Sequence, residues 1–189
     1  MKPQFIFLIA IFLLNACTDS FVPDLQDSRL TRYTNEGLGN VSAIINDTAW
    51  VGLVENCFKC NRTTIYDIEY YESNDSLVLI LSGKQNQENW LDVVFSLKVA
   101  EFQKLSDLRD QRFILGSGGN FAVLDPSPQG LLQNLNGQIW FRDIGVVESG
   151  NGTCPYIAGT FGFEYNQSGQ SKIKVHFGRF DFKVCNTNF

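Results

Sequence analysis

The sequence predicts an all-β domain: an antiparallel sandwich or flattened barrel of about nine or ten hairpin-connected strands, with at most one short helix. Three observations lead there. The 189 residues are 44% hydrophobic and only 19% charged, which suits one folded domain with appendages and excludes intrinsic disorder. Sixteen Gly and 16 Phe against one Met and one His favour strands and tight turns. From residue 41 onward, short β-branched and aromatic runs alternate with turn chemistry.

Taken in order, runs 41–45 and 49–53 flank Asn46-Asp47-Thr48 and read as an opening hairpin. In 64–71, Tyr66, Ile68 and Tyr70 share one face while Ile65, Asp67 and Glu69 share the other. The polar cluster 72–76 turns the chain. Runs 77–82 and 90–99 follow, separated by a polar stretch. Phe102, Leu105 and Leu108 fall three apart and predict one or two helical turns. Runs 112–115 and 121–124 flank Gly116-Ser117-Gly118-Gly119-Asn120, which reads as a flexible hairpin connection. Strands are then expected at 138–147 and 156–165. In the last run, Ile173, Val175 and Phe177 face one way and Lys172, Lys174 and His176 the other; after Gly178 the phase shifts, with Phe180, Phe182 and Val184 inward and Arg179, Asp181 and Lys183 outward. A single strand with a bulge at Gly178 accounts for the shift.

Ahead of this domain, residues 1–16 combine a Lys-bearing start with an apolar run of about ten residues, a secretory leader too short for a membrane span of roughly 20. The leader ends Leu14-Asn15-Ala16-Cys17, which resembles the bacterial lipoprotein box, and this resemblance implies that Cys17 is acylated and becomes the first residue of the mature chain. Several acyl chains at about 0.8 kcal/mol per buried methylene would hold the protein on a membrane durably. Residues 17–40 lack a period of 2 or 3.6 and read as a tether, which fully extended would reach about 75 Å. The domain therefore spans 41–189 and is expected to face an aqueous compartment outside the cytoplasm.

The start Val41-Ser42-Ala43-Ile44-Ile45-Asn46-Asp47-Thr48-Ala49-Trp50 and the closing Gly159-Thr160-Phe161 and Gly178-Arg179-Phe180-Asp181 segments resemble small Bacteroidota lipoproteins of unknown function. The resemblance is carried by packing and turn residues at the two ends of the domain. It implies location, on the outer membrane at its periplasmic or surface face, and an all-β fold; it brings no catalytic residues.

Four cysteines remain after Cys17, an even number suited to two disulfides in an exported domain. A closing hairpin that turns near Ser168 would put Cys154 opposite roughly Lys183, within reach of Cys185, leaving Cys57 and Cys60 as a local clip. The Cys57-Phe58-Lys59-Cys60 spacing also invites a thiol-disulfide reading, but Asn61-Arg62-Thr63 and a strand pattern follow where thiol activation relies on a helix. His176 is the one imidazole, flanked by Lys172, Lys174 and Arg179; this outward cationic face is a candidate contact for a small anion or a glycan. Trp50, Trp90 and Trp140 with Tyr66, Tyr70 and Tyr71 are either core or a sugar-stacking surface, and Tyr71, out of phase with Tyr70, is the one expected to be exposed. Asp47-Thr48-Ala49 and Asp75-Ser76-Leu77 resemble the Bacteroidota acceptor pattern for O-glycosylation, implying glycan on Thr48 and Ser76.

No hydrolase elbow is present, and Gly116 to Asn120 precedes no helix that would make it a phosphate loop. No metal site or cofactor is expected. With net charge −5 no nucleic-acid partner is expected either. The expected function is a non-enzymatic envelope module that contacts the membrane through its anchor and binds a protein or glycan partner. The alternative is an envelope enzyme using Cys57 and Cys60, or His176.

Overall fold

The computed structural model describes residues 27–53, 65–86, 89–125, 132–149, 152–167 and 171–185. Cys17, Cys57 and Cys60, and with them the lipidation site and the proposed local clip, lie outside the described residues.

Ten antiparallel strands form one nearly closed, barrel-like sheet: β1 (Asn40–Ile45), β2 (Thr48–Leu53), β3 (Tyr66–Tyr71), β4 (Ser76–Gln85), β5 (Asn89–Lys98), β6 (Arg112–Leu115), β7 (Phe121–Asp125), β8 (Leu132–Ser149), β9 (Gly152–Gln167) and β10 (Ile173–Lys183). Their spatial order is β6-β8-β9-β10-β1-β2-β4-β5-β7, with β3 beside β4. The opening hairpin forms as expected around Asn46 and Asp47, whose φ of 46° and 66° match the right-handed twist of the strands they join. The expected helical turn is a single 3-10 turn, Leu105–Leu108, seated on the barrel by Phe102, Leu105 and Leu108.

One expected hairpin does not exist. β6 pairs with β8 and β7 with β5, so the two strands on either side of residues 116–120 lie at opposite ends of the strand order. The connection bridges the seam where the sheet curls back on itself. Alternating sequence around a Gly-rich turn is equally compatible with a hairpin and with this crossing, and only the partners of each strand decide.

The interior is filled by aromatic rings. Phe95 meets Phe161 and Phe163 edge-on at 5.3 and 5.9 Å, Phe141 meets Phe180 at 5.7 Å, and buried Trp50 donates its indole N–H to the Leu91 carbonyl at 2.8 Å. Such packing leaves no slack for extra atoms. At Gly159 an added Cβ would come within 2.3 Å of the Trp140 carbonyl oxygen and 2.4 Å of the Phe180 ring. Gly159→Ala should therefore cost about 1–3 kcal/mol in chemical denaturation, as overpacking does; an unchanged midpoint would contradict this close approach.

β10 is one strand with the expected bulge. Val175 pairs with Phe163 and Gly178 with Phe161, so His176 and Phe177 together oppose Gly162. The unusual backbone belongs to Phe177, with φ of 54°, whereas Gly178 is needed because a Cβ there would lie 2.5 Å from the Phe161 ring.

The tether boundary needs correction. Residues 27–39 do not hang free but run as a strap along the outer face of β1 and β10. Thr31 donates its N–H to Ser42 Oγ (3.1 Å) and receives Arg179 Nη1 on its carbonyl (2.8 Å). Farther on, the Asp181 carboxylate accepts the N–H groups of Glu36, Gly37 and Leu38 at 3.1, 2.7 and 3.3 Å, and the Thr34 hydroxyl. Leu30 and Ile44 are buried in this outer layer although neither belongs to the continuous interior core. The folded unit accordingly extends back at least to Asp27, ahead of Val41.

Candidate functional site

The proposed cationic face divides at the bulge. Lys172, Lys174 and His176 line the outer side of the first half of β10; Lys172 pairs with Glu164 at 2.7 Å, and half-buried His176 stacks on Phe177 with ring centroids 4.6 Å apart. Arg179 is a correction. It points away from the barrel interior as the phase shift predicts, yet it is only 2% exposed because the strap lies over it, and Asp181 beside it is 1% exposed. These two charges hold the strap and are not available to a soluble ligand.

Burial and the Lys174 cation, joined by Arg29 and opposed by Asp47 and Asp27, hold His176 below its ordinary value of 6.5. Since this is the one histidine, its imidazole should give a single titrating NMR resonance with a midpoint below 6.5. The folded state binds that proton less readily than the unfolded chain, so the His176 contribution to stability should fall as pH drops from about 6.5 toward the midpoint and be constant above 6.5. Lys174→Ala should raise the midpoint; a wild-type midpoint at or above 6.5 would contradict the half-buried placement.

Tyr71 is exposed as expected, at 46%, with its hydroxyl donated to Glu69. Among the described residues, no sugar platform forms around it. Tyr71 lies opposite Ser76 and Trp90 opposite Lys84, eight residues or about 27 Å apart along β4, and Trp50 is buried in the core. Lys84 sits over the Trp90 ring at 5.0 Å. Of the two candidate glycan acceptors, Thr48 is half-buried at the start of β2. Ser76 is corrected: it is 5% exposed, its hydroxyl bonded to the Asn74 carbonyl and approached by Lys98 Nζ at 3.0 Å. The turn that should have presented it continues directly into β4.

Cys154 and Cys185 are disulfide-bonded, with Cα atoms 5.1 Å apart. The hairpin register differs from the expected one by about two residues, placing Tyr156 opposite Lys183. Continuing that pairing brings Cys154 opposite Cys185.

What sequence reading missed lies at this end of the barrel. A cleft of about 350 Å³ opens between the Leu105–Leu108 turn and the β8–β9 hairpin, bounded by Lys104, Arg109, Ile144, Val146, Pro155 and Val184. Val146 is 63% exposed, and the Arg109 guanidinium donates to the Ile144 carbonyl. Beside the cleft, Asp143 accepts the Tyr156 hydroxyl at 2.8 Å and the Asn35 amide at 2.9 Å. Partial burial opposes ionisation of Asp143, but these hydrogen bonds outweigh it and keep the carboxyl below its usual range. Burial and the same Asp143 contact push the Tyr156 phenol up to about 12. Next along β8, Trp140 is flanked by Arg112 of β6 and Arg142 of its own strand at 4.5 and 4.7 Å, and Arg142 also faces Tyr33 of the strap. The Trp140 indole N–H is donated to Asp110 at 3.0 Å. These groups come from four separate segments, so no local motif announces them. Among the described residues, no three His, Cys, Asp or Glu side chains are placed to hold a metal ion.

No protein-family model, curated protein or solved structure matches this chain.

Proposed function

We propose that the chain is a lipid-anchored protein of the cell envelope whose barrel is a non-enzymatic binding module, engaging a protein partner at the cleft beside the Leu105–Leu108 turn. The observation that carries the binding reading is the cleft's composition: an exposed aliphatic wall at Val146 next to the cations Arg109 and Lys104. An aliphatic wall with adjacent positive charge suits a protein segment that presents an apolar side chain beside a carboxylate. A glycan is the weaker fit, because the exposed aromatics are dispersed and both guanidinium groups beside Trp140 already occupy its ring. The anchoring reading is supported by the leader and Cys17.

Photo-crosslinking in the intact envelope tests the site. A photoreactive side chain at Lys104 should yield a discrete protein adduct that is lost in Val146→Asp, which sets a charge on the aliphatic wall without disturbing the core. The same probe at Tyr71 should not yield it. An adduct that survives Val146→Asp, or forms equally from Tyr71, would remove the cleft from consideration.

A further inference from the structure

The strap fixes Asp27, the exit point from the described residues toward Cys17, at the end of the barrel opposite the cleft. Asp27 and Arg29 are paired at 2.7 Å, and Arg29 Nη1 reaches the Asp47 carbonyl in the β1–β2 turn at 3.2 Å. The same turn is tied to β10 by the Lys174 N–H, donated to Asn46 Oδ1 at 2.9 Å. From there the strap runs along β1 to Gly37, whose surroundings are Lys183 and Tyr156 near the cleft. Lys174 and Val184 stand ten residues apart on β10 and its continuation, so exit point and cleft are separated by about 30 Å.

We propose that the surface formed by Asn46, Asp47, Lys172 and Lys174 is the membrane-facing end of the domain, apposed to the lipid head groups, and that strap docking thereby directs the cleft toward the aqueous phase. The proposal rests on acylation of Cys17 for its anchor. Lengths decide it. Ten peptide steps from Cys17 to Asp27 reach at most about 35 Å in any conformation. Turning the domain over, with the cleft against the lipid, would require the exit point to stand about 30 Å away and the ten steps to be almost fully drawn out. If residues 27–40 were free instead, the reach would be about 75 Å and either posture would be accessible. The docked strap thus removes more than half of the available reach.

The strap is held independently of the anchor, since the bonds from Asp181 to residues 34–38, Arg179 to Thr31 and Ser42 to Thr31 all lie within the folded unit. The membrane-facing surface is close to neutral: Lys172 is paired with Glu164, and Arg29 with Asp27. Orientation therefore comes from tether geometry and should not depend on anionic lipid.

The test uses the natively acylated protein in zwitterionic phosphatidylcholine nanodiscs that carry a paramagnetic headgroup lipid. Amide resonances of residues 46–47 and 172–174 should be broadened at least about fivefold more than those of 104–109 and 146, given the difference in reach. Inserting about twenty Gly and Ser residues between Cys17 and Asp27, with the strap intact, should abolish the contrast. Equal broadening of both ends in the native protein, or a contrast that survives the insertion, overturns the proposal. Acylation is read separately from the intact mass. If Cys17 proves unmodified, the lipoprotein reading fails, and the orientation is then measured on the Cys57→Ser, Cys60→Ser chain coupled through Cys17 to a maleimide lipid, where the same contrast is expected.

Discussion

Replacing Asp181 with Ala should detach the 27–39 strap and lower stability by about 3 kcal/mol. In the native protein one carboxylate serves four donors: the N–H groups of Glu36, Gly37 and Leu38 and the Thr34 hydroxyl. Each buried donor stranded by the truncation costs about 1–3 kcal/mol, so keeping the strap in place without the carboxylate is unfavourable. The alternative is release, which returns the N–H groups to water but exposes Leu30 and Ile44 and removes the Thr31 carbonyl from Arg179. The cheaper of the two routes sets the loss. Hydrogen exchange distinguishes release from global unfolding: amides of 34–38 should lose protection while those of β9 and β10 keep most of theirs. Asp181→Asn retains one acceptor oxygen and should fall between wild type and Ala. Unchanged protection of 34–38 in Asp181→Ala would show that the strap is held by something other than this carboxylate.

Removing the disulfide with Cys154→Ala and Cys185→Ala together should lower stability by about 3.5 kcal/mol, from the chain entropy of the loop it closes. For a domain of this size that is roughly 7–14 °C in Tm. The bridge joins the start of β9 to the chain just beyond β10, where the last backbone bond of the pair is Val184 N–H to the Pro155 carbonyl at 2.8 Å. Without it this end frays first. Because Pro155, Val184 and Cys185 also border the cleft, loss of the bridge should weaken partner capture as well as stability. The Cys57–Cys60 clip expected from the sequence would close a far shorter loop, so Cys57→Ser with Cys60→Ser should shift the midpoint much less. Scanning calorimetry of the two double variants decides, and equal shifts would refute the ordering.

Period-2 alternation and turn chemistry were enough to read the fold class, most strands, the β1–β2 turn and the β10 bulge, because each depends on residues adjacent in sequence. The Cys154–Cys185 bridge was legible for a related reason: paired strands carry their register along the hairpin to its open end, so a register two residues from the expected one still left the partners within reach. Partnership between distant segments was not legible. The outward phase of Arg179 and Asp181 was read correctly, but alternation reports only which face a side chain takes, and what covers that face is decided by a segment about 145 residues earlier in the chain. Hence residues 27–39, lacking any period of their own, looked like a tether until the buried charges beneath them came into view. The seam at residues 116–120 and the cleft share that character, since both exist only where the sheet curls back and brings together strands, a 3-10 turn and a hairpin far apart in sequence. Local chemistry determined what each element is; the closure of the sheet decided which of its faces meet solvent.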